Sequence, residues 1–309
     1  MTKDAAHGEQ ASGEPASVEI ARGSLAVNGT EIAYLESGRS GAPLALLLHG
    51  FPDSAWTWRY LMPELASAGF HVVAPFLRGY APSAVPPDAR YQTGALVADA
   101  VALHDAFGGG PDAVIVGHDW GAMAAYGAAA FAPARFRRVV ASAVPPAGAL
   151  AQGILTFAQL KRSWYIFFFQ SVLAEAVVSM DDMAFIDGLW ADWSPGYDAT
   201  FDVARTKEAL GSPERIAAAI GYYRALFDAS KHVPELAGEQ AATQAIPPQP
   251  TLYLHGTKDG CMGVELIGES VLEFLGEGSR LSMVEGGGHF AHLDRREIVN
   301  PRIVEFLTA

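Results

Sequence analysis

The sequence predicts an α/β fold: a mostly parallel sheet flanked by helices, with a helical segment inserted near the middle of the chain. Three observations support this prediction. Short apolar runs alternate with longer helical patterns, as they do in crossover units. The alternation stops after Pro145-Pro146 and resumes at Pro247-Pro248. At 309 residues, 50% of them hydrophobic and 18% charged, the chain is long enough for one large core that carries such an insertion.

Each strand is predicted from a short apolar run bounded by turn residues. An antiparallel hairpin is expected in GSLAVNGTEIAYLESG, because its Asn28-Gly29 pair favours a two-residue turn. The other predicted strands are Leu44–Leu48, Val72–Ala74, Ala113–Val116, Val139–Ser142, Thr251–His255 and Leu281–Val284. The predicted helices are Trp58–Ala68, Thr93–Phe107, Ala122–Phe131 and Ile298–Leu307.

These elements divide the chain into three parts. Residues 18–145 and 246–309 are expected to form the sheet core, and residues 146–245 a helical cap over its carboxyl edge. Residues 1–17 are polar and small and lack the apolar stretch of a signal peptide, so we expect a disordered tail. The uncharged stretch 139–160 contains Pro145, Pro146, Gly148, Gln152 and Gln159. We therefore interpret it as a strand, a loop and the start of a helix rather than a membrane span.

Composition excludes several classes of function. The formal net charge of -13 and a pI near 5.1 argue against nucleic acid or an anionic membrane as a partner. Cys261 is the one cysteine, so no disulfide forms within the chain, and a reducing cytoplasm is the expected compartment. Neither composition nor pattern decides between a monomer and a homodimer.

The stretch VIVGHDWGAMAAYG, residues 114–127, contains the first candidate catalytic residue. Gly117 and Gly121 bracket Asp119 between a predicted strand and a predicted helix. This spacing is typical of the tight turn that presents a nucleophile at the carboxyl end of a strand. The positive end of the following helix favours a carboxylate there. An aspartate that only caps the helix would give the same local pattern, so other motifs must decide.

Two further motifs supply a histidine and its partner. VEGGGHFAHLD presents His289 after a glycine turn, and TLYLHGTKDGCM presents Asp259 after a strand. Nucleophile, acid and histidine follow the chain order of the α/β-hydrolase fold. We predict His289 as general base and Asp259 as the carboxylate that orients it. His292, which does not directly follow the glycine turn, is interpreted as structural.

The stretch LLLHGFPDSAWTWR, residues 46–59, predicts the oxyanion hole. In this fold, the loop after the third strand donates one backbone N–H and the residue after the nucleophile donates the other. These donors are Phe51 and Trp120 in this chain. A cis peptide bond before Pro52 would aim the loop toward the nucleophile.

An aspartate nucleophile selects a particular chemistry. A serine that attacked a saturated carbon would leave an ether that activated water does not readily cleave. An aspartate leaves an ester whose carbonyl can be hydrolysed. Asp119 therefore indicates displacement at sp3 carbon, with either a halide or an epoxide oxygen as the leaving group. An epoxide oxygen needs an acid, and tyrosine can supply one.

Through HGFP, GHDWG, LHGTKD and GGGHFAHLD, the sequence resembles the epoxide hydrolases of the α/β-hydrolase fold over nearly all of the chain from about Ser24. The resemblance implies that two cap tyrosines hold the epoxide oxygen. One is Tyr165, five residues before Gln170 in YIFFFQ. The other is Tyr223, which precedes Arg224 in GYYRALF. Tyr222 is the alternative candidate for the second position.

Two alternative functions stay open. A dehalogenase could use the same Asp119, but haloalkane dehalogenases usually carry an N–H donor where this chain has Phe51. Fluoroacetate dehalogenases have an arginine where this chain has Trp120. A non-catalytic ligand-binding protein of the same fold is the third reading, which the intact set of three catalytic residues disfavours.

The substrate expected from these residues is a small apolar epoxide, and the other reactant is water. We predict His49, Pro52, Trp164 and Phe290 as further pocket residues. The predicted mechanism requires no organic cofactor and no metal ion.

Overall fold

The computed structural model describes residues 19–309, so the predicted disordered tail lies outside the described residues. The described residues form a single eight-stranded sheet in the order β1-β2-β4-β3-β5-β6-β7-β8. Strand β2 is antiparallel to both of its neighbours, and the other strand pairs are parallel. The strands are β1 Ala21–Val27, β2 Thr30–Ser37, β3 Leu44–Leu48, β4 His71–Pro75, β5 Ala113–His118, β6 Phe136–Ser142, β7 Thr251–Gly256 and β8 Arg280–Val284. The prediction of a mostly parallel sheet is confirmed.

The strand sequences explain this arrangement. Strands β3 and β5 are buried at every position, because helices cover both faces of a parallel sheet. The β1–β2 hairpin lies at one edge of the sheet. It turns at Asn28 and Gly29, whose φ values of 49° and 73° suit the two-residue turn that this pair favours.

Twelve α-helices accompany the sheet in residues 19–309. Those outside the β6–β7 connection are α1 Leu61–Ser67, α2 Thr93–Ala106, α3 Trp120–Phe131, α11 Ala291–Asp294 and α12 Arg296–Thr308. The helix predicted to begin at Trp58 begins later, because a short 3-10 helix, Ala55–Trp58, precedes it.

The connection between β6 and β7 is helical throughout its regular structure. Its helices are α4 Ala147–Gly153, α5 Phe157–Arg162, α6 Trp164–Phe168, α7 Ala174–Trp193, α8 Thr200–Ala209, α9 Pro213–Phe227 and α10 Ala237–Ala242. Helix α7 is broken at Met180–Met183, where the backbone leaves helical geometry.

The end of this connection packs against the sheet's own helices. Gln240 Oε1 accepts a hydrogen bond from the Gly94 N–H at 2.8 Å, and Gln92 Oε1 accepts one from the Val233 N–H at 2.6 Å. The segment from Val233 therefore lies beside α2, although it falls within the range predicted as the cap. Within residues 19–309, no helix is both long and apolar enough to cross a membrane.

Candidate active site

A sharp turn carries the candidate nucleophile. Strand β5 ends at His118 and α3 begins at Trp120, so Asp119 alone connects them. Its φ of 53° and ψ of -118° are strained for a residue with a side chain, at a cost of about 1–3 kcal/mol. The flanking glycines permit the turn: a Cβ on Gly117 would lie 2.1 Å from the Gly121 oxygen, and one on Gly121 2.1 Å from the Leu48 oxygen.

The two predicted oxyanion donors hold the Asp119 carboxylate. The Phe51 N–H donates to Oδ1 at 2.8 Å, and the Trp120 N–H also bonds this carboxylate. The Phe51–Pro52 peptide bond is cis. Burial raises the pKa of Asp119, while His289 and the two N–H donors act in the opposite direction. Oδ1 is therefore fixed by the Phe51 N–H, and the other oxygen, Oδ2, faces His289.

His289 lies between two carboxylates. Its Nδ1 is 3.0 Å from Asp259 Oδ2, and its Nε2 is 3.8 Å from Asp119 Oδ2. Because Asp259 accepts, Nδ1 carries the proton and Nε2 keeps its lone pair. Asp259 Oδ1 is itself fixed by the N–H groups of Cys261 and Met262, each at 2.8 Å. Burial lowers the pKa of His289, but the charges of Asp259 and Asp119 outweigh it and raise that pKa.

The end of helix α7 fixes the loop that carries the candidate base, His289. The Trp193 carbonyl accepts from the His289 N–H at 2.8 Å, and Ser194 Oγ accepts from the Phe290 N–H at 3.0 Å. The Trp193 ring lies 5.0 Å from the His289 ring, centroid to centroid. The helical connection therefore positions the imidazole through its backbone as well as its ring.

Tyr165 and Tyr223 are brought to the same cavity as Asp119. Their ring centroids lie 5.6 Å apart, and both side chains are buried. The Tyr223 hydroxyl has no hydrogen-bond partner among the described protein atoms, and the Tyr165 hydroxyl lies 3.4 Å from Cys261 Sγ. Burial raises the pKa of both phenols well above the usual value, so both remain protonated donors.

Tyr222 points elsewhere. Its hydroxyl donates to the Arg78 carbonyl at 2.8 Å. It is not among the residues that line the cavity at Asp119. Of the two neighbouring tyrosines, only Tyr223 faces the candidate nucleophile.

The cavity beside Asp119 has a volume of about 320 Å³ and an almost wholly apolar wall. Besides the nucleophile and the two tyrosines, it is lined by Trp120, Met123, Val144, Ala147, Leu150, Ala151, Ile154, Leu155, Ser163, Ile166, Phe167, Leu226, Phe227, Gln244 and Met262. Sequence reasoning missed the contribution of α4. The i, i+3, i+4, i+7 spacing of Ala147, Leu150, Ala151 and Ile154 could have indicated a single apolar face.

The four other predicted pocket residues do not line this cavity. His49 is buried with Nδ1 donating to the Gly50 carbonyl and Nε2 accepting from the Leu77 N–H, and burial lowers its pKa to about 4. The Pro52 carbonyl accepts from the Trp190 indole N–H at 2.8 Å, and the Phe290 ring stacks on that indole at 3.5 Å. Trp164 is exposed and packs against Phe168 and Phe185.

His292 has a different environment from His289, the candidate base. Its Nε2 lies 2.5 Å from Thr57 Oγ1, and its ring packs on Trp58. Burial lowers its pKa to about 3. Of the two histidines in GGGHFAHLD, only His289 lies between Asp259 and Asp119.

Comparison with known proteins places this geometry in a family. A family model for the alpha/beta hydrolase fold matches residues 43–296. Epoxide hydrolase A of Mycobacterium tuberculosis is 31% identical, over 91% of this chain and 95% of the relative. Epoxide hydrolase 4 of Mus musculus is 31% identical, over 91% of this chain and 77% of the relative. The crystal structure of epoxide hydrolase A from Mycobacterium thermoresistibile superposes with a TM-score of 0.78 at 25% identity, over 94% of this chain and 98% of that one. The chain belongs to the α/β-hydrolase fold family, among the epoxide hydrolases of that fold.

Proposed function

We propose that this protein is an epoxide hydrolase that converts a small apolar epoxide to a vicinal diol through a covalent ester on Asp119. One observation carries the proposal. Asp119, Tyr165 and Tyr223 all line one apolar cavity. A nucleophile for carbon and two proton donors for oxygen are the groups that ring opening requires.

In the first step, Asp119 Oδ2 attacks a ring carbon and the carbon–oxygen bond of the epoxide breaks. Tyr165 and Tyr223 hydrogen-bond the ring oxygen, and one of them protonates it as it leaves. Oδ1 is already bound to the Phe51 N–H and becomes the carbonyl oxygen of the ester, and the Trp120 N–H bonds the same carboxylate. The donors are therefore in place before charge develops on that oxygen.

In the second step, His289 Nε2 takes a proton from water, and the resulting hydroxide attacks the ester carbon. The tetrahedral intermediate places its negative charge on Oδ1, which the same two N–H groups stabilise. Asp259 stabilises the imidazolium that forms. On collapse the ester carbon–oxygen bond breaks, the leaving alkoxide takes the remaining proton of the attacking water, and the diol and the Asp119 carboxylate result. His289 then gives its extra proton to the tyrosinate that was left when the phenol acted as the acid. Both groups are thereby restored, so the cycle balances.

The cap and the cavity wall support the substrate class. We propose that residues 146–245 act as the cap, since α4, α6 and α9 supply most of the apolar wall and both tyrosines. No lysine or arginine is among the residues that line the cavity. A neutral, apolar substituent on the epoxide is therefore favoured over a carboxylate, because a buried charge without a partner is costly.

Dehalogenation is the second candidate function, and one observation favours it. The Trp120 indole N–H is buried at this cavity with no acceptor among the described protein atoms, so it could donate to a halide. Phe51 offers no second side-chain donor. The tyrosine pair suits an alkoxide, which needs a proton, better than a halide, which needs none.

A single turnover in 18O-labelled water tests the mechanism. With enzyme in excess over an aryl epoxide, we expect label in the Asp119 carboxylate and an unlabelled diol, with labelled diol appearing only on later turnovers. A labelled first diol and an unlabelled Asp119 would show direct attack by water and contradict the covalent route.

Two controls separate the remaining alternatives. A chloroalkane of similar size, assayed beside the epoxide, distinguishes the two leaving groups. Asp119→Asn should abolish turnover. A protein that only binds its ligand would retain its affinity in this variant and would show no turnover in the wild type.

A further inference from the structure

Gln159 of helix α5 is a buried glutamine whose amide nitrogen and oxygen are both hydrogen-bonded. Its Nε2 donates to the Cys261 carbonyl at 2.9 Å and to Ser163 Oγ at 2.8 Å. Its Oε1 accepts from the Gly263 N–H at 3.0 Å. The flipped amide would place oxygen against the Cys261 carbonyl and nitrogen against the Gly263 N–H, so only one orientation fits. One side chain of the helical connection therefore binds the loop after β7 at two points.

This loop carries Asp259, the predicted partner of the base. Asp259 Oδ1 accepts from the N–H groups of Cys261 and Met262, each at 2.8 Å. Both donors aim at the carboxylate only while the loop keeps its tight turn. Within residues 19–309, the Cys261 carbonyl and the Gly263 N–H have no hydrogen-bond partner other than Gln159. The amide of Gln159 therefore closes the turn around Asp259.

Neighbouring positions of the loop have other supports. The Gly260 N–H donates to the Trp193 carbonyl at 3.2 Å, and His255 Nε2 lies 3.1 Å from the Met262 carbonyl. These contacts would keep the loop near its place without Gln159. The expected consequence of losing Gln159 is therefore a loosened turn rather than a displaced loop.

We propose that Gln159 is a positioning residue that keeps Asp259 aligned on His289 and thereby supports hydrolysis of the ester more than its formation. The contact at stake is that of Asp259 Oδ2 with His289 Nδ1, at 3.0 Å. Gln159 is not among the residues that line the substrate cavity, so it acts through the loop. Its effect on catalysis rests on the proposed epoxide hydrolase function.

Ester formation depends less on this loop. It uses Asp119, Tyr165 and Tyr223, and none of these is hydrogen-bonded to Gln159. The loop reaches one of them, because Cys261 Sγ lies 3.4 Å from the Tyr165 hydroxyl. Tyr223 keeps its place when the loop loosens, so one oxygen donor is unaffected.

The variant Gln159→Met tests the proposal, because methionine has a similar length and lacks the amide. In single turnovers with excess enzyme, ester hydrolysis should slow by about 10- to 100-fold and alkylation by no more than about threefold. The pH at which hydrolysis rises should also fall, because a misaligned Asp259 raises the pKa of His289 less. Hydrolysis at the wild-type rate, or alkylation slowed as much as hydrolysis, would overturn the proposal.

Gln249 offers a matched control. It is also buried, and its Nε2 donates to the carbonyls of Ala129 and Pro133 at 3.1 and 2.9 Å. It precedes β7, whereas Asp259 follows that strand, so it lies at the opposite edge of the sheet. Gln249→Met should lower the Tm as Gln159→Met does and leave both rate constants within about twofold of the wild type. An equal loss of hydrolysis in this control would indicate general destabilisation and overturn the positioning role.

The single cysteine of the chain supplies a readout that needs no turnover. Cys261 is buried in the loop, so its reaction with an aromatic disulfide reports local opening. Under native conditions, labelling should be at least about 10-fold faster in Gln159→Met than in the wild type and nearly unchanged in Gln249→Met. Equal labelling rates in the two methionine variants would overturn the proposal. Faster labelling in Gln159→Met alone, with a wild type inactive on epoxides, would contradict the proposed function and leave the loop contact standing.

Hydrogen exchange of the wild type still tests the contact if Gln159→Met fails to fold. Gln159 Oε1 is the acceptor of the Gly263 N–H. The Gly263 amide should therefore exchange at least about 10²-fold more slowly than in an unstructured chain. Exchange at the unstructured rate would show that the turn is open in solution and would overturn the proposal.

Discussion

Replacing Tyr223 by phenylalanine isolates the role of one hydroxyl, and the neighbouring Tyr222 provides the control. The Tyr223 hydroxyl has no partner among the described protein atoms, so removing it leaves no buried group unpaired. The phenylalanine ring keeps the contacts with Phe51 and Trp120, at 5.3 and 5.0 Å between centroids. We therefore expect the stability of Tyr223→Phe to change by no more than about 0.5 kcal/mol.

The expected effect on catalysis is much larger. A hydrogen bond to an oxygen that gains charge in the transition state is worth about 10²- to 10³-fold in rate. Tyr165 still donates in Tyr223→Phe, so the alkylation rate should fall by about 10²-fold. The double variant with Tyr165→Phe loses both donors and should fall by about 10⁴-fold.

Tyr222→Phe should show the opposite pattern. It removes the hydrogen bond to the Arg78 carbonyl, so the free energy of unfolding should fall by about 0.5–1.5 kcal/mol. Its alkylation rate should stay within about twofold of the wild type, because its hydroxyl does not face the cavity. Stopped-flow single turnovers with excess enzyme measure alkylation, and thermal melts measure stability. If Tyr222→Phe lost the activity and Tyr223→Phe kept it, the assignment of the oxygen donors would be wrong.

Three further predictions concern the base and the cavity. The carboxylates of Asp259 and Asp119 raise the pKa of His289 despite its burial. Because the base works when neutral, turnover should rise as pH increases through that raised pKa. A turnover rate that does not change between pH 5 and pH 9 would contradict this. Asp259→Asn should shift this rise to lower pH and reduce kcat by about 10³- to 10⁴-fold, which a pH–rate profile of the variant would check. Ala151→Phe should fill part of the 320 Å³ cavity. It should therefore raise the steady-state KM for aryl epoxides more than for short alkyl epoxides. Equal changes in KM for the two substrates would show that Ala151 does not line the substrate cavity.

The sheet and the proximity of the three candidate catalytic residues could be predicted because their signals are local. Strand β3 has the predicted bounds, since an apolar run between turn residues specifies a buried strand with little help from the rest of the chain. Asp119, Asp259 and His289 each follow a strand, and the carboxyl ends of parallel strands meet at one edge of the sheet. Linear order therefore implied their proximity.

The cavity wall could not be predicted in the same way. Trp164 and Tyr165 are adjacent in one aromatic run, yet one is exposed and the other faces the nucleophile. A helix sends neighbouring side chains about 100° apart, so the outcome depends on how α6 packs against the core. The sequence predicts that Phe290 lines the pocket, but its ring stacks on Trp190 instead. Trp190 belongs to a helix about a hundred residues earlier in the sequence. Such contacts depend on tertiary packing that no local pattern encodes.

The helical connection contributes to both steps of the proposed reaction. Tyr165 and Tyr223 serve the first step, in which the epoxide oxygen leaves. The Trp193 carbonyl and the Ser194 hydroxyl contribute to the second step, because they accept hydrogen bonds from the backbone N–H groups of His289 and Phe290 and so hold the loop of the base. A displacement of α7 would therefore disturb His289 even if every residue of the sheet core stayed in place. In the proposed mechanism, substrate selection and water activation are therefore linked, since the segment that lines the cavity also contacts the loop of the candidate base His289.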